Sequence, residues 1–154
     1  MNVGIILYSH TGHTLSVGQR IMETLLAQGN EVHLERIEAA NAEPNSKQPP
    51  VLKSIPDITA YDAVILGAPV QGGRLSPVMQ AYLDMLPSVR EKKAACFVTQ
   101  HFKAKWMGSA RAVRQIIQAV EQKGTSILAS GIVQWTSKDR DEQIRQVADQ
   151  LSRI

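Results

Sequence analysis

The sequence contains little of what marks a secreted, membrane or disulfide-stabilised protein. Its 154 residues include a single cysteine, Cys96, so no internal disulfide can form and a reducing compartment is indicated. Because Cys96 lies within an apolar segment, we interpret it as a small core residue. No apolar run approaches the roughly 20 residues that a transmembrane helix needs, and the N-terminus lacks the pattern of a signal peptide. We therefore expect a soluble cytoplasmic protein without a membrane partner.

Aromatic residues and concentrated charge are also scarce. The chain has two Trp, three Tyr and two Phe, and its formal net charge is +3. The basic excess falls between Arg90 and Lys123, where eight Lys or Arg stand against two acidic residues. Nucleic-acid-binding proteins combine a denser basic stripe with interleaved aromatics. The composition therefore argues against a nucleic-acid partner.

Signature motifs of several phosphate-handling folds are missing. Gly12 stands alone in its loop, so G-x-G-x-x-G is absent, and no Gly-Lys-Ser/Thr marks a P-loop. A phosphoacceptor receiver domain needs acidic residues where this chain has Ser9 and Pro69. A cysteine phosphatase needs C-x₅-R, but Phe102 stands where the arginine would follow Cys96. Each of these classes is excluded by a particular residue.

Apolar patterning predicts strands that alternate with helices. Four continuous apolar runs and one alternating, edge-like run predict strands over Asn2–Tyr8, Glu31–Ile37, Asp62–Ala68, Ala94–Val98 and Ser126–Val133. Helical spacing predicts helices over Thr14–Gln28, from Ser76, over Ala110–Val120, and after a cap at Ser137 or Asp139. We predict one α/β domain, a three-layer sandwich with a five-stranded parallel sheet of order 2-1-3-4-5 and helices on both faces.

The connections carry further predictions. Glu38–Ala60 has four prolines and no clear period, so we expect a long surface loop with at most a helical turn near Asp57–Ala60. Pro69 is expected to end the third strand, and Thr99–Ser109 to be irregular. Ligands of such sheets bind at the carboxyl ends of the strands, near the switch between strands one and three. The loops after strands one, three and four are therefore the candidate site.

The loop after the first strand suits a phosphate group. It consists of three hydroxyl side chains, two histidines and one glycine: Ser9, His10, Thr11, Gly12, His13 and Thr14. The helix N-terminus that follows offers unpaired N–H groups and a partial positive charge, and the glycine allows a tight turn. A simple Ser/Thr helix cap needs only one hydroxyl, so we interpret the loop as a phosphate site. Its two histidines either contact the phosphate or are merely solvated.

Two further loops are predicted to meet the first at the same edge. The second runs through Pro69, Val70, Gln71, Gly72 and Gly73. The third comprises Thr99, Gln100, His101 and Phe102, with Trp106 a little further on. The two glycines suit either close approach by a ligand or an ordinary tight turn, and the sequence leaves both open. The two aromatics are candidates for stacking on a ring, with core or lid positions as the alternative.

These motifs resemble those of the flavodoxin family. Ser9–Thr14 is similar to the family's T/S-x-T-G-x-T phosphate loop, and Gly67-Ala68-Pro69 to the Gly-x-Pro that ends its third strand. The resemblance covers the whole chain in element order and length. It implies bound FMN, with the phosphate on Ser9–Thr14 and the isoalloxazine ring between Pro69–Arg74 and Thr99–Phe102, and with backbone near the two glycines approaching flavin N5. The flavin would carry the chemistry, so no catalytic acid, base or metal ligand is assigned.

The rim of the predicted site departs from the family pattern. Electron-carrier flavodoxins resemble one another in an acidic surface around the flavin, whereas these loops carry basic residues at Arg74, Lys103, Lys105 and Arg111. A basic rim favours an anionic visitor. We therefore expect an FMN-dependent oxidoreductase that transfers electrons from NAD(P)H to a quinone-like or other small acceptor. The alternatives are a flavodoxin-type carrier that docks on a redox partner protein, an acidic one given this rim, and a cofactor-free interaction module; a homodimer stays open.

Overall fold

The chain forms eight strands and four helices in the part that the structure describes. This computed structural model describes residues 1–41, 43, 47–101 and 106–154, without the side chains of residues 106 and 107. The strands are β1 (Asn2–Leu7), β2 (Glu31–Arg36), β3 (Glu38–Ala40), β4 (Val51–Ser54), β5 (Ala63–Gln71), β6 (Arg74–Leu75), β7 (Lys93–Gln100) and β8 (Ile127–Gln134). The helices are α1 (His13–Ala27), α2 (Pro77–Asp84), α3 (Trp106–Gln122) and α4 (Arg140–Leu151).

Five of the strands form the predicted parallel sheet. Their order is β2-β1-β5-β7-β8, which is 2-1-3-4-5 when only the parallel strands are counted, and β6 adds a short antiparallel partner to β5. The edge position predicted for the second strand is confirmed, since β2 is only half-buried along its length. The predicted α/β architecture and strand order are therefore confirmed.

Each face of the sheet is covered by a separate hydrophobic core. Ile6 points into the core beneath α2 and α3, together with Tyr82 and Ile116. Ile5 points into the opposite core, where residues of α1 and α4 pack. Because successive strand residues face opposite sides, both faces need apolar side chains, which is why β1 is a continuous apolar run. The helices on both faces complete the three layers.

The segment predicted as a long loop contains a small second sheet. β3 and β4 pair antiparallel, with Ala39 opposite Leu52 and Ala40 opposite Val51. The prediction of a loop over Glu38–Ala60 is therefore wrong in part. Ala39 and Leu52 pack against the core beneath α2 and α3, and such a tertiary contact overrides a weak local pattern.

The third parallel strand continues past the proline expected to end it. Pro69 lies opposite Thr99 of β7, and its carbonyl accepts a hydrogen bond of 3.1 Å from the Ser76 N–H. Strand β1 ends opposite Gly67, so no strand on that side needs the hydrogen that a proline nitrogen lacks. Thr99 also belongs to β7, so the irregular stretch predicted from this residue is shorter than expected. β5 therefore stays paired with β7 as far as Pro69 and Thr99, at the carboxyl edge of the sheet.

Two remaining expectations concern the buried thiol and the membrane. Cys96 is fully buried in the core, as predicted. Among residues 1–41, 43, 47–101 and 106–154, no helix combines the length and apolar character that crossing a bilayer requires. The cytoplasmic location stays a prediction.

Candidate functional site

A cleft of about 290 Å³ opens at the carboxyl edge of the sheet, where β1, β5 and β7 end. Its lining consists of His10, Thr11, His13, Thr14, Pro69, Val70, Gln71, Gly72, Gly73, Thr99, Gln100 and His101. All of these residues belong to the predicted site, so the structure brings the three loops together. The predicted Phe102 lies outside the described residues, and Trp106 begins α3 without a described side chain.

Ser9 organises the first loop from within. Its buried hydroxyl oxygen accepts hydrogen bonds from the backbone N–H of Gly12 at 3.1 Å and of Leu15 at 3.2 Å. Gly12 has a φ of +93°, and a Cβ built on it would have no protein atom within 4 Å. Glycine is therefore favoured there by its backbone conformation and not by a lack of room for a side chain. Ser9 and Gly12 therefore shape the loop, while their neighbours line the cleft.

The threonines of the loop have different environments. The buried Thr14 hydroxyl shares a 2.9 Å hydrogen bond with the Thr99 hydroxyl, which joins the first loop to the end of β7. Thr11 is exposed. The first backbone hydrogen bond within the helix is from Ser16 N–H to the Gly12 carbonyl.

The start of α1 leaves backbone donors without partners in residues that line the cleft. In the part of the chain that the structure describes, the backbone N–H groups of Thr11, His13 and Thr14 have no hydrogen-bond partner. Such groups carry the positive end of the helix dipole. The loop therefore offers an anion several N–H donors, as its sequence predicts.

The second loop is a hairpin between β5 and β6. Gly72 and Gly73 have φ values of +63° and +75°, which is the pattern of a two-residue type I′ turn. The tight turn is thus present, and because both glycines also line the cleft, it is compatible with close approach by a ligand. Gly108 of α3 packs on this turn: a Cβ built there would lie 3.2 Å from the Gly73 Cα.

A buried acceptor lies next to the hairpin turn. The Oε1 atom of Gln71 is buried and has no hydrogen-bond partner within the described residues. Burying an amide oxygen without a donor is costly, so an acceptor in this position fits a ligand that brings an N–H group. On the far wall, the Ser109 hydroxyl donates to Oε1 of the buried Gln100 and holds the end of β7 to α3.

Three residues near the first loop were missed by the sequence reasoning. The Arg36 guanidinium at the end of β2 donates to the Ser9 carbonyl at 3.4 Å. The Trp135 ring, just after β8, stacks on His13 with 4.0 Å between ring centroids, and Arg140 of α4 lies over Trp135 at 4.7 Å. Arg36 and Trp135 stand at the carboxyl ends of edge strands, so applying the carboxyl-edge rule to every strand would have found them.

Charge near the cleft is arranged at two ends. At the loop end, burial lowers the pKa of His13, and the neighbouring His101 and Arg140 lower it further. Beyond the hairpin, Arg74 of β6 and Arg111 of α3 are exposed outside the cleft lining, and neither forms an ion pair with another described residue. The other two residues of the predicted basic rim, Lys103 and Lys105, lie outside the described residues.

Comparison with known proteins agrees with this geometry. Residues 1–138 match the family model described as NADPH-dependent FMN reductase. The chain is 29% identical over 89 residues to an NAD(P)H dehydrogenase (quinone) of Cupriavidus metallidurans, covering 52% of this chain and 44% of that protein. It is 24% identical over 135 residues to a flavodoxin of Megasphaera elsdenii, covering 85% of each chain. Flavodoxin 2 from Bacillus cereus superposes with a TM-score of 0.69 at 21% identity, over 97% of this chain and 96% of that one.

These similarities differ in what they establish. The chain spans about half the length of the curated quinone dehydrogenases it matches. The structural similarity, at its low identity, establishes the fold alone. The family model covers most of the chain, which confirms the predicted resemblance to flavodoxin-like FMN-binding proteins and supports FMN as the cofactor. The chain belongs to the NADPH-dependent FMN reductase family and has the flavodoxin-like fold.

Proposed function

We propose that the cleft binds FMN with its phosphate on Ser9–Thr14. The unpaired N–H groups of Thr11, His13 and Thr14 suit phosphate oxygens. The exposed Thr11 hydroxyl adds a donor, and Arg36 adds positive charge behind the loop. A phosphate on this loop would therefore accept hydrogen bonds from several donors and lie near the positive charge of Arg36.

The isoalloxazine ring would then lie between the β5–β6 hairpin and the end of β7. Gln71 offers its buried, unpartnered Oε1 to a ring N–H group. Gly72 and Gly73 present backbone without side chains to the cleft. Family membership favours this cofactor over a cofactor-free interaction module.

When bound, FMN supplies two-electron redox chemistry that no side chain can supply. The residues of the chain bind and orient. The Thr14–Thr99 hydrogen bond keeps the phosphate loop in register with β7, and the packing of Gly108 on Gly73 sets the distance between α3 and the hairpin. These contacts tie the first loop to β7 and the hairpin to α3.

We infer that the activity is electron transfer from NAD(P)H to a quinone-like or other small acceptor. The observation that carries this inference is the match of residues 1–138 to the reductase family. Similarity to NAD(P)H dehydrogenases (quinone) supports the acceptor class. The exposed Arg74 and Arg111 also provide positive potential that attracts the phosphates of a nicotinamide dinucleotide.

The test is anaerobic rapid mixing of the FMN-loaded full chain with NADH or NADPH, followed by a small quinone. We expect the flavin absorbance to bleach with the nucleotide and to return with the quinone. Arg74→Gln should raise KM for the nucleotide several-fold, whereas Arg153→Gln, beyond the C-terminal end of α4 and outside the cleft lining, should leave KM unchanged. A bound flavin that neither nucleotide reduces would overturn the enzymatic proposal and leave FMN binding intact.

A second candidate is a flavodoxin-type electron carrier that docks on an acidic partner protein. The specific observation in its favour is similarity to the Megasphaera elsdenii flavodoxin over 85% of both chains. Two separated one-electron steps in a redox titration, together with negligible reduction by NAD(P)H, would support the carrier. A single two-electron step would support the reductase.

A further inference from the structure

Four side chains from separate segments form a stack beside the phosphate loop. The rings of His13 and Trp135 are 4.0 Å apart with planes 12° apart, and those of His13 and His101 are 5.6 Å apart with planes 11° apart. The Arg140 guanidinium lies 4.7 Å from the centre of the Trp135 ring. The separations are those of stacked rings and of a cation–π contact. His13 is therefore held by contacts from outside its own loop.

The segment after β8 is fastened to its neighbours by hydrogen bonds. The Trp135 N–H donates to the Gln100 carbonyl at 2.8 Å, and the Thr136 hydroxyl donates to the His101 carbonyl at 2.9 Å. Arg140 Nη1 donates to the Trp135 carbonyl at 3.3 Å. These hydrogen bonds fix the backbone of the segment after β8 to the end of β7 and to α4. Trp135 therefore supports the His13 ring from a fixed position.

The surroundings of His13 favour its neutral form. Burial lowers its pKa, as do the nearby His101 and Arg140. In the described part of the chain, these two are the titratable or charged groups that face His13 from the segment after β7 and from α4. His10 shares the loop of His13, and Arg36 of β2 contacts that loop at Ser9. An anion placed on the loop would oppose this preference, because an opposite charge within a few ångströms favours the charged form.

We propose that Trp135 and Arg140 are positioning residues that hold the His13 ring against the phosphate loop, so that binding of a phosphate group is coupled to uptake of one proton by His13. The proton comes from water and resides on an imidazole nitrogen, and no covalent bond is formed. This proposal rests on the proposed FMN site, and it adds two residues that the three predicted loops do not contain.

The direct test follows the His13 imidazole by NMR in the full chain. The flavin-free chain is compared with the chain loaded with FMN and with riboflavin, which has the same ring without the phosphate. We expect the pKa of His13 to rise by about one unit or more with FMN, and to change little with riboflavin. An identical titration in all three forms would overturn the coupling.

Variants separate positioning from simple stability. Because binding takes up a proton, the wild-type preference for FMN over riboflavin should increase as the pH falls below 7. Trp135→Leu should lower this preference about tenfold and remove most of the increase. Trp135→Phe keeps an aromatic face and should retain both the preference for FMN and its pH dependence. For Arg140→Gln, the matched charge control is Arg153→Gln. Removing the Arg140 cation should raise the pKa of His13 in the flavin-free chain.

The outcomes distinguish this proposal from the proposed function. If wild-type chain binds neither FMN nor riboflavin, the FMN site itself is wrong. If FMN binds with the same pH dependence in wild type and Trp135→Leu, the FMN site stands and the positioning role is wrong. Thermal unfolding of each variant shows whether a loss of binding reflects a loss of fold.

Discussion

At the scale of single residues, the hydroxyls of the phosphate loop divide into structural and ligand-facing groups. Ser9 is buried, and its hydroxyl oxygen accepts hydrogen bonds from two backbone N–H groups at the start of α1. Ser9 therefore acts as a helix-capping side chain. Thr14 is buried against Thr99. Thr11 alone is exposed at the cleft. The cap interpretation therefore applies to Ser9, and the proposed phosphate site leaves Thr11 as the hydroxyl that is free to face a ligand.

Thr11 is the residue at which charge can be tested without disturbing the fold. Thr11→Glu places a carboxylate at the phosphate end of the cleft, where like charges a few ångströms apart repel by several kcal/mol. We expect FMN affinity to fall about 100-fold, or about 2.7 kcal/mol, measured by flavin fluorescence titration.

Thr11→Gln is the matched control, because it has similar size and no charge. Its FMN affinity should stay within a few-fold of wild type, and both variants should unfold at the wild-type temperature. Equal FMN affinity in Thr11→Glu and wild type would show that the phosphate lies elsewhere.

At the scale of elements, the β5–β6 hairpin converts a buried strand into a ligand-facing edge. β5 runs through Pro69 to Gln71 and then reverses at Gly72-Gly73. Gln115 of α3 accepts a 2.9 Å hydrogen bond from the Leu75 N–H, so α3 anchors the returning strand. The returning strand of the hairpin is therefore held by α3.

The turn itself predicts how substitutions at Gly72 behave. A Cβ at Gly72 would have no atom within 4 Å, so only its φ of +63° opposes a side chain. We expect Gly72→Ala to lower the free energy of unfolding by about 1 kcal/mol. Gly72→Asn should cost only a few tenths, because asparagine tolerates this conformation in type I′ turns.

Urea unfolding of both variants measures the difference. A side chain that clashed would destabilise both proteins, whereas a purely conformational cost separates them. Equal losses for Ala and Asn would contradict the turn assignment.

At the scale of the whole molecule, the core beneath α2 and α3 buries a thiol, Cys96, whose ionisation is tied to unfolding. Burial raises the pKa of Cys96 to about 12. An unfolded cysteine titrates near 8.5. Above that value unfolding releases a proton that the folded chain retains, so the stability of the fold falls as pH rises.

Cys96 should therefore dominate the loss of stability between pH 8 and pH 10. Over this interval the wild-type free energy of unfolding should fall by about 2 kcal/mol more than that of Cys96→Ala. Urea unfolding of both proteins at several pH values measures this difference. Only the slopes of the free energy of unfolding against pH are compared, so the constant cost of removing the sulfur cancels. Parallel slopes would show that the thiol ionises in the folded protein.

Much of the fold and of the site could be predicted from residues whose neighbours are local. The apolar run of β1 and the stripe beginning at Val17 depend on side-chain period alone, and the Ser76 cap on α2 depends on its next turn. The β3–β4 pairing could not be predicted, since it depends on packing against a core formed by distant segments. Pro69 was misjudged for the same reason, because a proline ends a strand only where a partner needs its N–H.

The sequence alone determined the parallel sheet and the convergence of three loops, because periodicity and the carboxyl-edge rule need no distances, and it predicts a phosphate site in the first of these loops. Tertiary structure alone decided which hydroxyl faces the cleft and that Arg36, Trp135 and Arg140 join the site. The contact of Arg36 with Ser9 joins residues 27 positions apart and that of Trp135 with His13 joins residues 122 positions apart, while Arg140 reaches this group through Trp135. Such contacts leave no local pattern, since the physical requirement is satisfied in space and not along the chain.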